Sequence, residues 1–204
     1  GILLCGCMQR NVDKGETSLR LGDYPAAIEF FDAALQRHPD SYKARLGLAK
    51  ALIQKSVDAS GDTALWKQGL MHLEAARTLA PAEDAEAIAT LLSEAWTHHA
   101  RAVLSLHDTV GALAALSRAI EYNPRSVGPL NLAGILYFRI GSPRKAGAIF
   151  QKAKSIDSTS ALACFNLGMV YWQNGDIRKA HREWMSALKI APNDEDMLYW
   201  FARA

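Results

Sequence analysis

Cysteine is scarce in this chain, with only Cys5, Cys7 and Cys164 among 204 residues. An odd count, with two of the three crowded together, cannot form the even framework of a small disulfide-stapled domain. Seven prolines and fourteen glycines are too few for a collagen-like or low-complexity chain. Past the opening residues, no apolar run approaches the roughly 18 residues needed to span a bilayer as a helix. An excess of charge of either sign is also missing: Lys plus Arg is 23 against 21 for Asp plus Glu, a net charge of +2. No global field therefore favours nucleic acid or an anionic membrane. Catalytic signatures are absent too, with no nucleophile elbow, no phosphate-binding glycine loop and no Cys-x-x-Cys. The chain is half hydrophobic and 22% charged, which is ordinary for a globular protein able to bury a core.

What is present is a period. Gly134, Tyr137, Ala146, Phe150 and Ala153 recur thirty-four residues later as Gly168, Tyr171, Ala180, Trp184 and Ala187. A period of that size signals a repeat architecture. Small residues fall where two helices must approach closely and aromatics where a gap must be filled. Gly141-Ser142-Pro143 and Gly175-Asp176 divide each unit into halves, so each unit reads as a helical hairpin. Phasing the pattern along the chain gives units at about 8–41, 42–83, 84–126, 127–160 and 161–194, followed by a capping or truncated helix at 195–204. Gly22-Asp23-Tyr24-Pro25 makes the first turn, with Gly suited to a left-handed conformation and Asp to capping the next helix. The second unit carries eight extra residues around Ser56 to Thr63, rich in turn formers and expected to be an exposed loop. Residues Asp84 to Leu92 contain neither Gly nor Pro, which predicts a long helix from about Ala82 to Leu106.

With these residues in hand, the chain is similar to tetratricopeptide repeat proteins over about Met8 to Asp194. It departs from their pattern at Ser158, where proline is usual, at Ala49 and Ala100 for glycine, and at Leu130 and Cys164, where Trp is favoured. The resemblance implies an all-α, right-handed superhelical solenoid of about five hairpins plus a C-terminal helix. It also implies that the first helix of each pair lines a concave groove, and that the protein is a non-enzymatic interaction scaffold with no cofactor and no metal. No such hairpin buries its apolar face alone, so stacking makes the core. Carried over residue by residue, the family's partner slots fall on Lys50, Arg101, Asn131, Ile135, Phe138, Arg139, Phe165, Met169, Trp172 and Gln173. The implied partner is a protein or peptide, an amphipathic helix or extended segment with a few apolar anchors and an acidic residue, and not a nucleic acid. The Lys/Asn set with which relatives clamp an acidic chaperone tail is missing. Two readings of Phe138 and Trp172 stay open: contact with a partner, or packing between neighbouring hairpins.

Glu94, His98, His99 and His107 are the nearest approach to a metal cluster. Adjacent His98 and His99 point in different directions on a helix, which argues against shared ligation. Cys164 stands in a packing slot and reads as a buried, inert thiol.

The opening Gly-Ile-Leu-Leu-Cys-Gly-Cys is short, apolar and not preceded by Met, so residues 1–7 read as the end of an export signal. Leu4-Cys5-Gly6-Cys7 resembles a bacterial lipobox, and that resemblance makes Cys7 the lipid attachment point. Any membrane contact would run through that anchor. The implied role is an envelope lipoprotein facing the periplasm that assists assembly of a pilus, secretion or outer-membrane complex. A soluble cytoplasmic adaptor, or an accessory domain cut from a longer enzyme, stays open beside it, as does the reading in which these residues begin the first helix.

Overall fold

The computed structural model describes residues 2–58 and 62–203, and for residues 2–8 the backbone alone. Among the described residues there are eleven helices. They are α1 (Ile2–Arg20), α2 (Tyr24–Arg37), α3 (Tyr42–Asp58), α4 (Thr63–Leu79), α5 (Ala82–Ser105), α6 (Thr109–Tyr122), α7 (Val127–Arg139), α8 (Pro143–Ile156), α9 (Ala161–Gln173), α10 (Ile177–Ile190) and α11 (Glu195–Arg203). None of them is long and apolar enough to cross a membrane. The chain forms two compact halves, Gly1–Ala102 and Val103–Ala204, and each is a stack of helical hairpins of the all-α solenoid class.

In the N-terminal half the organising side chain is Phe31 of α2, which is fully buried. Gly15 of α1 and Gly47 of α3 face its ring so closely that a Cβ on either would collide with it. Val12, Ala27, Ala34, Ala44, Leu48, Ala51 and Leu52 close around this ring. Burying a side chain of the size of Phe or Leu contributes about 1.5–3 kcal/mol, so this cluster rather than helix propensity holds α1 to α3 together.

The C-terminal half repeats the same device twice, with Gly134 of α7 against Phe150 of α8 and Gly168 of α9 against Trp184 of α10. In all three hairpins the aromatic follows its glycine by sixteen residues. That spacing is the physical content of the period, because only a glycine lets the second helix bring a ring onto the first helix's backbone. The indole N–H of Trp184 also donates to the Phe165 carbonyl at 3.0 Å, satisfying its one polar atom.

The turns follow the same economy. Gly22, Gly141 and Gly175 take left-handed φ of 75°, 75° and 78°, and His107 holds φ 63° thirty-four residues before Gly141. The helix after each turn is capped by Asp23, Asp108 and Asp176, whose carboxylates accept from Ala26, Gly111 and Lys179 amides. Ser142 stands in the same place before α8 but makes no side-chain cap bond.

Two expectations meet the structure at the irregular hairpin. The long helix comes out as α5, Ala82–Ser105. The expected loop from Ser56 to Thr63 is corrected: α3 continues to Asp58 and α4 begins at Thr63, while Ala59 to Gly61 lie outside the described residues. Ser56 is 3% exposed, and its hydroxyl donates to the Asp62 carbonyl at 2.9 Å. Both helices have 17 residues, against 13 or 14 in α7 to α10. The extra residues are therefore mostly helix, because turn-forming residues at a helix end can be satisfied by capping as well as by a loop.

Candidate partner-binding site

In the N-terminal half the first helices of the hairpins, α1, α3 and α5, line a trough of about 500 Å³. Its floor is apolar, made by Leu19, Leu46, Ile88 and Leu91. Across one end the Tyr42 hydroxyl donates to the Asp84 carboxylate at 2.7 Å, tying α3 to α5. That hydrogen bond, with burial and the carboxylate charge behind it, holds the Tyr42 phenol above its usual pKa. Lys50 borders this trough and also a smaller cavity of about 80 Å³ walled by Gln54, Leu91, Glu94 and His98. Lys50 is half-buried and makes no salt bridge among the described residues. Glu16, Asp84 and Glu94 line the same two cavities without reaching salt-bridge distance of it, so its ammonium is open to a carboxylate supplied from outside.

Of the sequence-derived positions in this half, Lys50 lines the trough and Arg101 is exposed on α5. Leu46, Leu91 and the Tyr42–Asp84 pair were not reached by sequence. The repeat of Lys43, Leu46 and Lys50 at helical spacing on α3 was the available signal. His98 is exposed, whereas His99 stacks on Trp66 at 3.8 Å between ring centroids, with Trp96 edge-on to Trp66. Burial, with the Lys67 charge adding to it, lowers the pKa of His99, so the imidazole is packed as a neutral aromatic. Trp66 completes this contact by donating its indole N–H to the Ala95 carbonyl at 3.4 Å.

In the C-terminal half the structure separates the sequence-derived positions. Asn131 is 8% exposed and belongs to the interior of the stack. Ile135 and Phe138 are partly buried against the cluster of Ala146, Phe150, Leu167 and Val170. Phe165 packs against Cys164, Ala187 and Met197 of α11. The Trp172 ring lies 5.7 Å from Trp184 and 6.4 Å from Trp200 of α11, inside an aromatic cluster. Met169 is half-buried, and Arg139 and Gln173 are exposed. The Asp194 carboxylate caps α11 by accepting from the Met197 amide at 2.9 Å, which fixes the start of the helix that carries Trp200. Cys164 is 1% exposed, and burial raises its thiol pKa, which disfavours the nucleophilic thiolate. The Cys7 side chain lies outside the described residues, although the backbone there continues α1.

Family models for the tetratricopeptide repeat match residues 18–55, 97–161 and 161–194, well over half of the chain taken together. The chain belongs to the tetratricopeptide repeat family. A curated relative, the BBSome complex member bbs-4 of Caenorhabditis elegans, is 24% identical over 165 residues, covering 80% of this chain and 34% of that protein. The chain thus spans about a third of the length of that relative. Among solved structures, MamA is 22% identical with a TM-score of 0.57, the match covering 87% of this chain and 94% of MamA. YrrB, described as a TPR protein with an unusual peptide-binding site, is 18% identical with a TM-score of 0.59, over 93% of this chain and 89% of YrrB. At these identities the likeness to MamA and YrrB is one of fold. Tetratricopeptide repeats are protein-interaction modules, and this chain is a scaffold of that kind.

Proposed function

We propose that the scaffold is non-enzymatic and takes an extended peptide or amphipathic helix in the trough of α1, α3 and α5. The observation that carries this reading is the half-buried Lys50, without a salt bridge among the described residues, set beside Leu46 and Leu91 in that trough. A ligand with an apolar side chain over the two leucines and a carboxylate on Lys50 matches both features. The peptide-binding description of YrrB is consistent with it. In the other half, Arg139, Met169 and Gln173 offer a contact surface of the same kind on α7 and α9, whereas Phe138, Phe165 and Trp172 serve packing.

The finer assignment is an envelope lipoprotein tethered through Cys7 that assists assembly of a pilus, secretion or outer-membrane complex. It rests on Leu4-Cys5-Gly6-Cys7. Labelled fatty acid entering the protein in a bacterial host, and lost on Cys7→Ser, is the expected result. An unmodified N-terminus by intact mass would remove the envelope assignment and leave the scaffold untouched.

For the trough, a library of random twelve-residue peptides displayed on phage and selected on the full chain should yield binders with a shared acidic residue beside an apolar one. Synthetic versions should lose about tenfold in affinity on Lys50→Ala, the scale of one charge-assisted hydrogen bond. Selected peptides indifferent to both Lys50→Ala and Leu91→Ser would move the site elsewhere.

A further inference from the structure

The chain as a whole is nearly neutral, but its charge is not evenly placed. Helices α8 and α10 together carry Arg144, Lys145, Lys152, Lys154, Arg178, Lys179, Arg182 and Lys189, with Glu183 as their single acidic residue. The second helices of the other hairpins are mixed in sign: Glu29, Asp32 and Arg37 on α2, Lys67, Glu74 and Arg77 on α4, Arg118 and Glu121 on α6. Glu183 is already engaged, its carboxylate bonded to the Lys154 ammonium at 2.5 Å. That bridge links a side chain of α8 to one of α10.

Helical phase places the free cations. Ala180, Trp184 and Ala187 of α10 are buried, so the opposite face presents Arg178, Arg182, Met185 and Lys189 in one line, and all four are exposed. Arg144 and Lys152 are likewise exposed on α8. None of these five cations makes a salt bridge among the described residues. Arg144 and Arg178 also sit in the first turns of their helices, where the backbone dipole is positive and a cation is disfavoured. Two local rules are therefore broken, offset only in part by the α10 cap Asp176, whose carboxyl pKa is lowered first by its hydrogen bonds with Lys179 and last by the Arg182 charge. Surfaces that break local rules in this way are expected where an external partner supplies the missing charge.

We propose that the outward face of α8 and α10 is an electrostatic docking surface for an anionic lipid bilayer. Clusters of this many Lys and Arg on amphipathic helices suit anionic headgroups. The side chains among the cations favour lipid over nucleic acid. Met185 is 42% exposed within the line, and Ile177 and Ile190, at 40% and 41%, flank it at the two ends of α10. Such side chains suit the headgroup boundary. The rings that would stack on bases are withheld: Phe150 and Trp184 are buried, and Lys145 and Lys179 lie over Tyr137 and Tyr171 at 5.3 Å. This surface lies on second helices and is independent of the peptide trough, which lies on first helices.

The test is co-sedimentation of the full chain with vesicles of phosphatidylcholine alone and with vesicles containing about one third phosphatidylglycerol. Binding is expected to the anionic vesicles only, and to fall steeply as salt is raised to about 0.5 M. Arg178→Glu/Arg182→Glu/Lys189→Glu should weaken it by about a hundredfold, at the usual contribution per surface cation. The Gln set at the same positions gives a milder loss in the same direction if the Glu set disturbs folding by circular dichroism. A charge-matched control, Arg10→Glu/Arg37→Glu/Lys67→Glu, reverses exposed cations of the N-terminal half and should keep binding. Equal binding to both kinds of vesicle, or an equal loss in the control, would overturn the proposal. So would binding to duplex DNA or polyglutamate without binding to anionic vesicles.

Discussion

In the C-terminal half, Gly134 and Gly168 receive Phe150 and Trp184 in hairpins whose helices have 13 and 14 residues. In the N-terminal half the α3/α4 hairpin has helices of 17 residues, Leu73 takes the slot held by Phe31, Phe150 and Trp184, and Ala49 stands where those hairpins have glycine. The volume missing at Leu73 is made up seven residues earlier by Trp66, which is 7% exposed and reaches across to Ala95, Trp96 and His99 of α5. One packing problem thus has two solutions. A glycine and a ring sixteen residues apart make a self-contained hairpin, whereas the longer hairpin borrows its aromatic contacts from the next helix. The borrowed contact half-buries a titratable ring, His99, whose pKa is lowered chiefly by burial, and His72 on α4 is likewise half-buried with its pKa lowered chiefly by burial.

That contrast can be broken by mutation. The largest expected effect is from Trp184→Ala, which empties a fully buried site and should cost about 3–5 kcal/mol by denaturant unfolding. Leu73→Ala should cost less, about 2–4 kcal/mol. Equal losses would mean that the two hairpins do not differ in how they distribute their packing. Next comes Trp172→Ala, which removes one ring of the cluster it forms with Trp184 and Trp200. It should cost about 2 kcal/mol and release α11, seen as faster amide exchange there. An unchanged midpoint together with lost peptide binding would return Trp172 to the role of a partner contact.

Acid should separate the halves. His72 and His99 have folded pKa values below the unfolded 6.5, so the unfolded chain takes up protons first as pH falls. Their contribution is present above about pH 6.5 and is lost as pH drops toward the folded values. Hydrogen exchange at pH 5.5 against pH 7.5 should therefore show protection falling more in α4 and α5 than in α9 and α10. His99→Phe should flatten part of that dependence, and an equal response in both halves would count against it. The smallest effect is at a turn: His107→Gly replaces a side chain held at φ 63° and should gain about 0.5 kcal/mol, while Gly141→Ala at φ 75° should lose about 1 kcal/mol.

Much of the fold was legible because the period is a steric rule written in residue types. Gly134 with Phe150 and Gly168 with Trp184 announce a close helix pair without coordinates. Leu73 hides the same pair, because a leucine in an apolar stripe carries no mark of the slot it fills. Ser56 misled for a related reason: Ser, Asp and Gly signal a chain reversal, but not how many of them the helices on either side will absorb. In the candidate site, Lys50 was reached by transferring family slots, whereas the Tyr42–Asp84 bond joins residues 42 apart in sequence and has no local signature.

The sequence by itself determined the helical hairpins, their phase and the absence of any global charge, because these depend on residue type at fixed spacing or on a sum over the chain. Only the tertiary structure decided that Trp172 packs with Trp184 and Trp200, that Lys50 makes no salt bridge among the described residues, and that Arg178, Arg182 and Lys189 stand exposed on the face of α10 away from its core. Each of these depends on which face of a helix its neighbours cover, and stacking settles that between residues whose distance along the chain says nothing about their distance in space.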